Sequence, residues 1–314
     1  MKSVNQSLHL IFAGSGEFGS PTLRSLLDTG HQIVQVFTQP DRPAGRGKKL
    51  TPTPIAQLAT ERGLPLVRTG DINREPLPVA DAMVVIAFGQ KIGPAVIGHP
   101  RLGSLNLHAS RLPQYRGAAP INRAILGGET ITGNSVIRLA DRMDAGAILA
   151  QSELTIGETE TAGELHDRLA LDGAPLVLRV LEELAAGAAQ EREQDPAAAT
   201  TAPKLSREMA TLDWSQPART LARWINGLSP WPGCRVRLIE PGGQELGRLT
   251  FLRARSIAEN ASGAPGEILE SGHLATGEGT LEVLEVQPEG KRPMPLADYR
   301  RGHRWAQGTR VETM

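Results

Sequence analysis

The sequence predicts an α/β amino-terminal domain with a largely parallel sheet, then a linker, then a small β-barrel. Three observations carry this. Short uninterrupted apolar runs such as "AMVVIAF" alternate with helical patterns through about residue 185, as strands covered on both faces by helices do. The composition then changes to "AAGAAQEREQDPAAATTAPKLS", residues 185–206, rich in Ala, Pro, Thr and charge and without apolar period. After it come "CRVRLIE", "GRLTFLRARSI", "GEILES", "HLATG" and "TLEVLEVQP". Short strands separated by Gly and Pro turns suit a small barrel of the OB-like kind.

Taken in order, a strand over 8–13 leads into Gly14, Gly16 and Gly19, spaced GxGxxG, with Pro21 at the start of a helix over 21–29. This Rossmann-like opening lets a backbone approach a pyrophosphate, yet any tight strand-to-helix turn favours glycine. The second strand, 32–38, runs out into "PDRPAGRGKKL", where Asp41 could hold a ribose hydroxyl and Arg42 a 2′-phosphate. That leaves an NAD(P)-dependent oxidoreductase open at this point. Further strands are expected at 82–88, 103–108 and 134–140, and helices at 54–62, 118–127 and 161–186, the last ending at Gly187. The expected division is residues 1–186, a linker over 187–206, and residues 207–314 with a helix near 216–227 ahead of the strands.

Length and composition bound the function. The 314 residues allow two domains, and 40% hydrophobic with 22% charged residues is ordinary for a soluble globular protein. Acidic and basic residues balance at 34 each, so bulk charge points to neither nucleic acid nor membrane, and a partner of either kind has to be read from local patches. A single cysteine, Cys234, excludes an internal disulfide and a cysteine-rich metal site. "MKSVNQSLHLIF" lacks the apolar core and cleavage site of a signal peptide, and no apolar run is long enough to span a membrane. A cytoplasmic protein is expected.

The chemistry gathers in "GSLNLHASRLPQYRGAAPIN", residues 103–122. Strand alternation puts Asn106 and His108 on one face and Leu105 and Leu107 on the other, at a carboxyl-terminal strand end, where open α/β sheets place their sites. An amide can donate to a developing oxyanion, and an imidazole can move a proton. The same pair could equally be a polar strand end that hydrogen-bonds a loop. Downstream, "RLADRMDAGAIL" carries an apolar strand out to Asp144, with Gly146 two residues later. A carboxylate there could orient the histidine, or be a plain turn residue.

Asn106-Leu107-His108, the following "SRLP", "RGAAPI" and "MDAG" together resemble the formyltransferases that use 10-formyltetrahydrofolate. The resemblance implies that Asn106, His108 and Asp144 are catalytic and that no metal is needed. It also implies that Ser110, Arg111, Leu112 and Pro113 hold the folate, with Phe88 a wall for its pterin. Arg111 departs from the leucine usual in that stretch. The segment "FTQPDRPAGRGKKLTPTP" resembles the basic loop of those members whose acceptor is the amino group of initiator methionyl-tRNA. It implies that Arg42, Arg46, Lys48 and Lys49 face the tRNA, which gives Asp41 and Arg42 a better use than reading a ribose. The linker, "LSPWPG" and the barrel match the same members, and a monomer is expected. In the barrel, Arg235/Arg237 and Arg253/Arg255 are spaced to share strand faces, where they could track phosphates or simply solvate the exterior. Competing readings are a formyltransferase for a small amine, such as glycinamide ribonucleotide or an amino-sugar nucleotide, and a non-catalytic RNA-binding protein.

Overall fold

The computed structural model describes residues 7–44, 47, 49–258 and 262–314. The chain divides into two compact units. The first holds residues 1–117, 133–154 and 166–201, and the second holds 118–132, 155–165 and 202–314.

The first unit is built on seven strands: β1 (His9–Gly14), β2 (Gln32–Thr38), β3 (Leu66–Arg68), β4 (Ala82–Ile86), β5 (Ser104–His108), β6 (Ser135–Arg138) and β7 (Ile148–Gln151). Their order is β7-β6-β5-β4-β1-β2-β3. The pairs β1–β2, β1–β4, β2–β3 and β4–β5 are parallel, while β5–β6 and β6–β7 are antiparallel. The sheet is therefore largely parallel and Rossmann-like. The helices of the chain include α1 (Ser20–Asp28), α2 (Pro54–Glu61), α3 (Pro120–Gly127), α4 (Ala162–Ala185) and α5 (Ala218–Gly227). Because β1, β2, β4 and β5 run the same way, their carboxyl-terminal loops open along one edge of the sheet.

The glycine turn after β1 serves a close backbone approach. A Cβ on Gly14 would stand 2.9 Å from the Ile86 carbonyl oxygen and 2.8 Å from the Phe12 ring. Around it the Ser15 hydroxyl accepts the Gln39 N–H at 3.1 Å and donates to the Phe88 carbonyl at 3.2 Å. Asp41, the candidate ribose reader, is instead held by Arg68 Nε at 3.0 Å.

Several boundaries differ from the sequence expectation. The strand expected over 82–88 stops at Ile86, because Ala87 and Gly89 adopt φ of +46° and +74°. The strands β3 and β7 are only three and four residues long, too short to stand out by periodicity. The helix α3 belongs to the second unit, where its Asn122 Nδ2 donates to the Gly227 carbonyl at 2.8 Å and Ala119, just before it, joins the core. The "GEILES" run forms only single bridges, Glu267 to Arg310 and Ile268 to Leu274.

In the second unit β8 (Cys234–Ile239), β9 (Glu245–Ile257), β10 (Leu274–Ala275), β11 (Thr280–Pro288) and β12 (Arg310–Thr313) pair antiparallel in the order β10-β11-β9-β8-β12. The sheet curls into an OB-like half-barrel. Along β8, Cys234, Val236 and Leu238 are buried while Arg235 and Arg237 are exposed, as strand alternation requires.

The start of α4 carries a capping box: Thr161 Oγ1 accepts the Glu164 N–H at 3.3 Å, and Glu164 Oε2 accepts the Thr161 N–H at 3.0 Å. Arg253 grips the same carboxylate through Nη1 and Nη2, at 2.8 and 2.6 Å. The Arg253 hydrogen bonds, offset in part by burial and reinforced by Thr161, hold the Glu164 pKa down at about 2. The folded value lies below the ordinary 4.5, so the contribution is complete above that value and is lost as pH falls through about 2. Urea titrations should show the stability advantage of the native chain over Glu164→Gln shrinking between about pH 6 and about pH 3. An advantage of equal size at both would contradict this linkage.

Candidate active site

The strand β5 delivers the first two site residues. Its Leu105 and Leu107 are buried, and a Cβ on Gly173 of α4 would fall 2.5 Å from Leu107 Cδ2, so α4 lies against the leucine face. Asn106 and His108 emerge on the opposite face. Register places Asn106 between Val85 and Ile137, and His108 opposite Ser135.

Asp144 comes to them from the turn between β6 and β7. Its φ of +52° lies in the left-handed region, where a non-glycine residue is uncommon and Asp is among the better tolerated. Two residues on, a Cβ on Gly146 would meet the Arg138 carbonyl oxygen at 1.9 Å, so only glycine fits the exit of this turn. The carboxylate is shared among three groups. Asn106 Nδ2 donates to Oδ1 at 3.4 Å, His108 Nδ1 lies 3.6 Å from the same oxygen, and the Gly117 N–H donates to Oδ2 at 2.9 Å. His108 Nε2 is 2.9 Å from the Tyr115 carbonyl. A carbonyl only accepts, so Nε2 carries the proton and Nδ1 is the nitrogen turned toward Asp144. The His108 and Asp144 side chains are 7% and 13% exposed, which strengthens each of these electrostatic contacts.

The stretch Ser110–Pro113 is tied down beside this cluster. Ser110 Oγ donates to the Gln114 carbonyl at 2.6 Å, and Ser135 Oγ both donates to the Ser110 carbonyl at 2.7 Å and accepts the Leu112 N–H at 3.0 Å. Leu112 is buried against Ile137 and Ile148, and the Leu112–Pro113 peptide is cis. Arg111 points the other way, to an ion pair with Glu153 at 3.1 Å. A charged residue is accommodated there because Leu112 fills the core.

Phe88 lies in the core, its side chain buried with Ile11, Phe37, Met83 and Ile92. The basic loop begins as a hairpin in which Arg42 pairs with Thr51 and Ala44 with Lys49. Arg42 and Lys49 are exposed, and Arg42 Nη2 donates to Gln39 Oε1. Arg46 and Lys48 lie outside the described residues. The barrel arginines are each matched with a carboxylate: Arg235 with Glu289, Arg237 with Glu312, Arg253 with Glu164 and Glu285, Arg255 with Glu282. Among the described residues no group of three or more His, Cys, Asp and Glu could hold a metal ion, and no helix is long and apolar enough to cross a membrane.

An amide and an imidazole at 3.4 and 3.6 Å from one carboxylate oxygen, on a strand end and an adjoining turn, suit proton transfer coupled to stabilisation of an oxyanion. The formyl transferase family model matches residues 7–181, and the model of the formyl transferase C-terminal domain matches residues 204–304. The chain belongs to the formyl transferase family.

Formyl transferases similar to it over nearly their whole length include the methionyl-tRNA formyltransferase of Methylococcus capsulatus, 40% identical over 98% of this chain and 100% of the relative. That of Paracoccus denitrificans is 43% identical over 94% of this chain and 97% of the relative. Among solved structures, WlaRD, a sugar 3N-formyl transferase crystallised with dTDP and 5-N-formyl-THF, matches with a TM-score of 0.64 at 14% identity, over 91% of this chain and 100% of that one. HypX from Aquifex aeolicus, in complex with tetrahydrofolic acid, matches with a TM-score of 0.62 at 17% identity. The match covers 94% of this chain and 47% of HypX. At these identities the two structures support the fold alone.

Four groups that shape the site are not among the site residues the sequence predicts. The Tyr115 carbonyl and Gly117 N–H act through the backbone, and Gln151 reaches Ser135 Oγ and the Leu112 carbonyl from the edge strand, at 2.9 Å each. Gln194 lies in a stretch that composition marks as a linker.

Proposed function

We propose that this formyl transferase moves the formyl group of 10-formyltetrahydrofolate to the free amino group of initiator methionyl-tRNA. The observation that carries the reading is similarity at about 40% identity, running through both units, to relatives named methionyl-tRNA formyltransferase. A small-amine enzyme would have less need of a second unit.

The donor set fits the task. Asn106 offers its amide hydrogens where negative charge develops on the formyl oxygen. Asp144, already facing His108 Nδ1, receives the proton shed by the attacking amine, and His108 shares it across the 3.6 Å gap. The new C–N bond forms on the acceptor nitrogen, the bond to the folate nitrogen breaks, and the proton passes to that leaving nitrogen. Ser110–Pro113 would hold the folate beside this cluster, and Arg42 with Lys49 would meet the acceptor end of the tRNA.

Two measurements test the reading. With 10-formyltetrahydrofolate as donor, charged initiator tRNA should be formylated, and glycinamide ribonucleotide and an amino-sugar nucleotide should not. Rapid formylation of a small amine with none of the tRNA would overturn it. Arg42→Ala should lower kcat/KM for methionyl-tRNA roughly ten- to a hundredfold, since a hydrogen bond to a charged group contributes about 1.5–3 kcal/mol, and leave KM for the folate unchanged. A rise in folate KM with unaltered tRNA kinetics would move the loop to the folate site.

A further inference from the structure

From residue 190 to residue 197 the segment after α4 is exposed except at one position. Glu191, Arg192, Glu193, Asp195 and Pro196 are exposed, while Gln194 between them is buried. Arg192 exchanges both backbone hydrogen bonds with Ile148, at 2.8 and 2.9 Å, which ties the segment to β7, and Gln194 two residues on is turned inward. There its Nε2 donates to the carbonyls of both Asp144 and Gly146, at 2.8 Å each. Its Oε1 accepts from Arg116 Nε at 3.0 Å and Nη2 at 2.7 Å. All four hydrogen-bonding capacities of the amide are used, so burial costs this side chain little and its orientation is fixed. Arg116, a donor only, settles which end of the amide faces the turn.

We propose that Gln194 is a positioning residue: it holds the turn around Asp144 in its left-handed conformation, so that the carboxylate meets Asn106, His108 and Gly117. Asp144 spans an unfavourable backbone region and makes its side-chain contacts at 3.4 and 3.6 Å, with only the 2.9 Å Gly117 bond short. Those contacts alone are weak restraints. The two bonds from Gln194 to the backbone on either side of Ala145 supply the missing constraint, and the Arg116 fork keeps the amide aimed. The same strap continues past Gln194: the Thr200 carbonyl accepts the Arg116 N–H at 2.9 Å, and Thr200 Oγ1 accepts the Tyr115 N–H at 2.8 Å. Residues 192–200 thus brace both halves of the cluster, the Tyr115–Gly117 side and the Asp144 side.

The kinetic arm of the test rests on the formyl-transfer reading, and the structural arm does not. Gln194→Glu keeps the size and the Arg116 pairing but cannot donate to either carbonyl. Gln194→Met keeps the size and removes all four bonds. Both should lower kcat about ten- to a hundredfold, with KM for 10-formyltetrahydrofolate within about twofold of the native value, because a small misplacement of a reacting group is costly. In an Asp144→Asn background the same changes should cost less than about twofold, since residues acting through one group are not additive. An equal loss in both backgrounds would make Gln194 merely structural and overturn the proposal. The crystal structure of whichever variant folds should show Asp144 withdrawn from His108 and its φ moved off +52°. An unchanged Asp144 turn would refute the proposal even if the protein proved to formylate nothing.

Discussion

Asp144→Asn is expected to cut turnover in formyl transfer on the order of a thousandfold while leaving both units folded. The carboxylate has two oxygens in demand, Oδ1 toward Asn106 and His108 and Oδ2 toward the Gly117 N–H. An asparagine supplies one oxygen. If it keeps the Gly117 bond, its amide faces the Asn106 amide, donor against donor, and the group proposed to take the amine proton is gone. Steady-state kcat at saturating substrates, with circular dichroism as the folding control, checks this. A folded variant within tenfold of native turnover would remove Asp144 from the mechanism. The substitution changes no volume, so a loss cannot be assigned to packing.

The largest stability effect is expected at Phe251. It is fully buried in β9, with the Trp214 ring 6.5 Å away edge-on and the Trp305 ring 6.3 Å away tilted. Phe251→Ala should destabilise the second unit by about 3–5 kcal/mol, the transfer term plus the cavity left between the two rings. That is a large share of the roughly 5–15 kcal/mol that holds a domain folded. All four tryptophans, Trp214, Trp224, Trp231 and Trp305, lie in this unit, so tryptophan fluorescence follows its unfolding separately from that of the first unit. The urea midpoint should fall sharply by fluorescence. An unmoved midpoint would mean that the core described around Phe251 is not the one that stabilises the sheet.

What the sequence disclosed depended on how far each feature is written locally. The short apolar runs of β1 and β4 are buried on both faces and stand out as strands, and the alternation of β5 and β8 is equally plain. Asn106 and His108 could be paired because a strand has a fixed period. Asp144 could be suspected from its turn but not placed, because its contact with His108 spans a separation of 36 residues and is set by the antiparallel β5–β6 register. β3 and β7 are too short for a pattern, and α3 reads as an ordinary helix whichever unit it packs in. The stretch around Gln194 is opaque for a physical reason: its residues bind through backbone groups and scattered polar side chains, Gln194 and Thr200 among them, and alanine, proline and charge give no period to betray an inward turn. Phe88 ends an apolar run, and nothing local distinguishes a core phenylalanine from one lining a site. The matched charges of the barrel arginines likewise come from partners on other strands, such as Glu312 for Arg237 and Glu282 for Arg255.

The central claim, that the Asn106–His108–Asp144 cluster transfers a formyl group to a tRNA-bound amine, is tested most directly by a single-turnover rapid-quench measurement. Enzyme in excess over charged initiator tRNA is mixed with 10-formyltetrahydrofolate, and N-formylmethionine and tetrahydrofolate are counted over time. The account predicts that the two products appear together, one for one, and that both form on the order of a thousandfold more slowly in Asp144→Asn. Tetrahydrofolate released without N-formylmethionine, or neither product formed by the native chain, would contradict it.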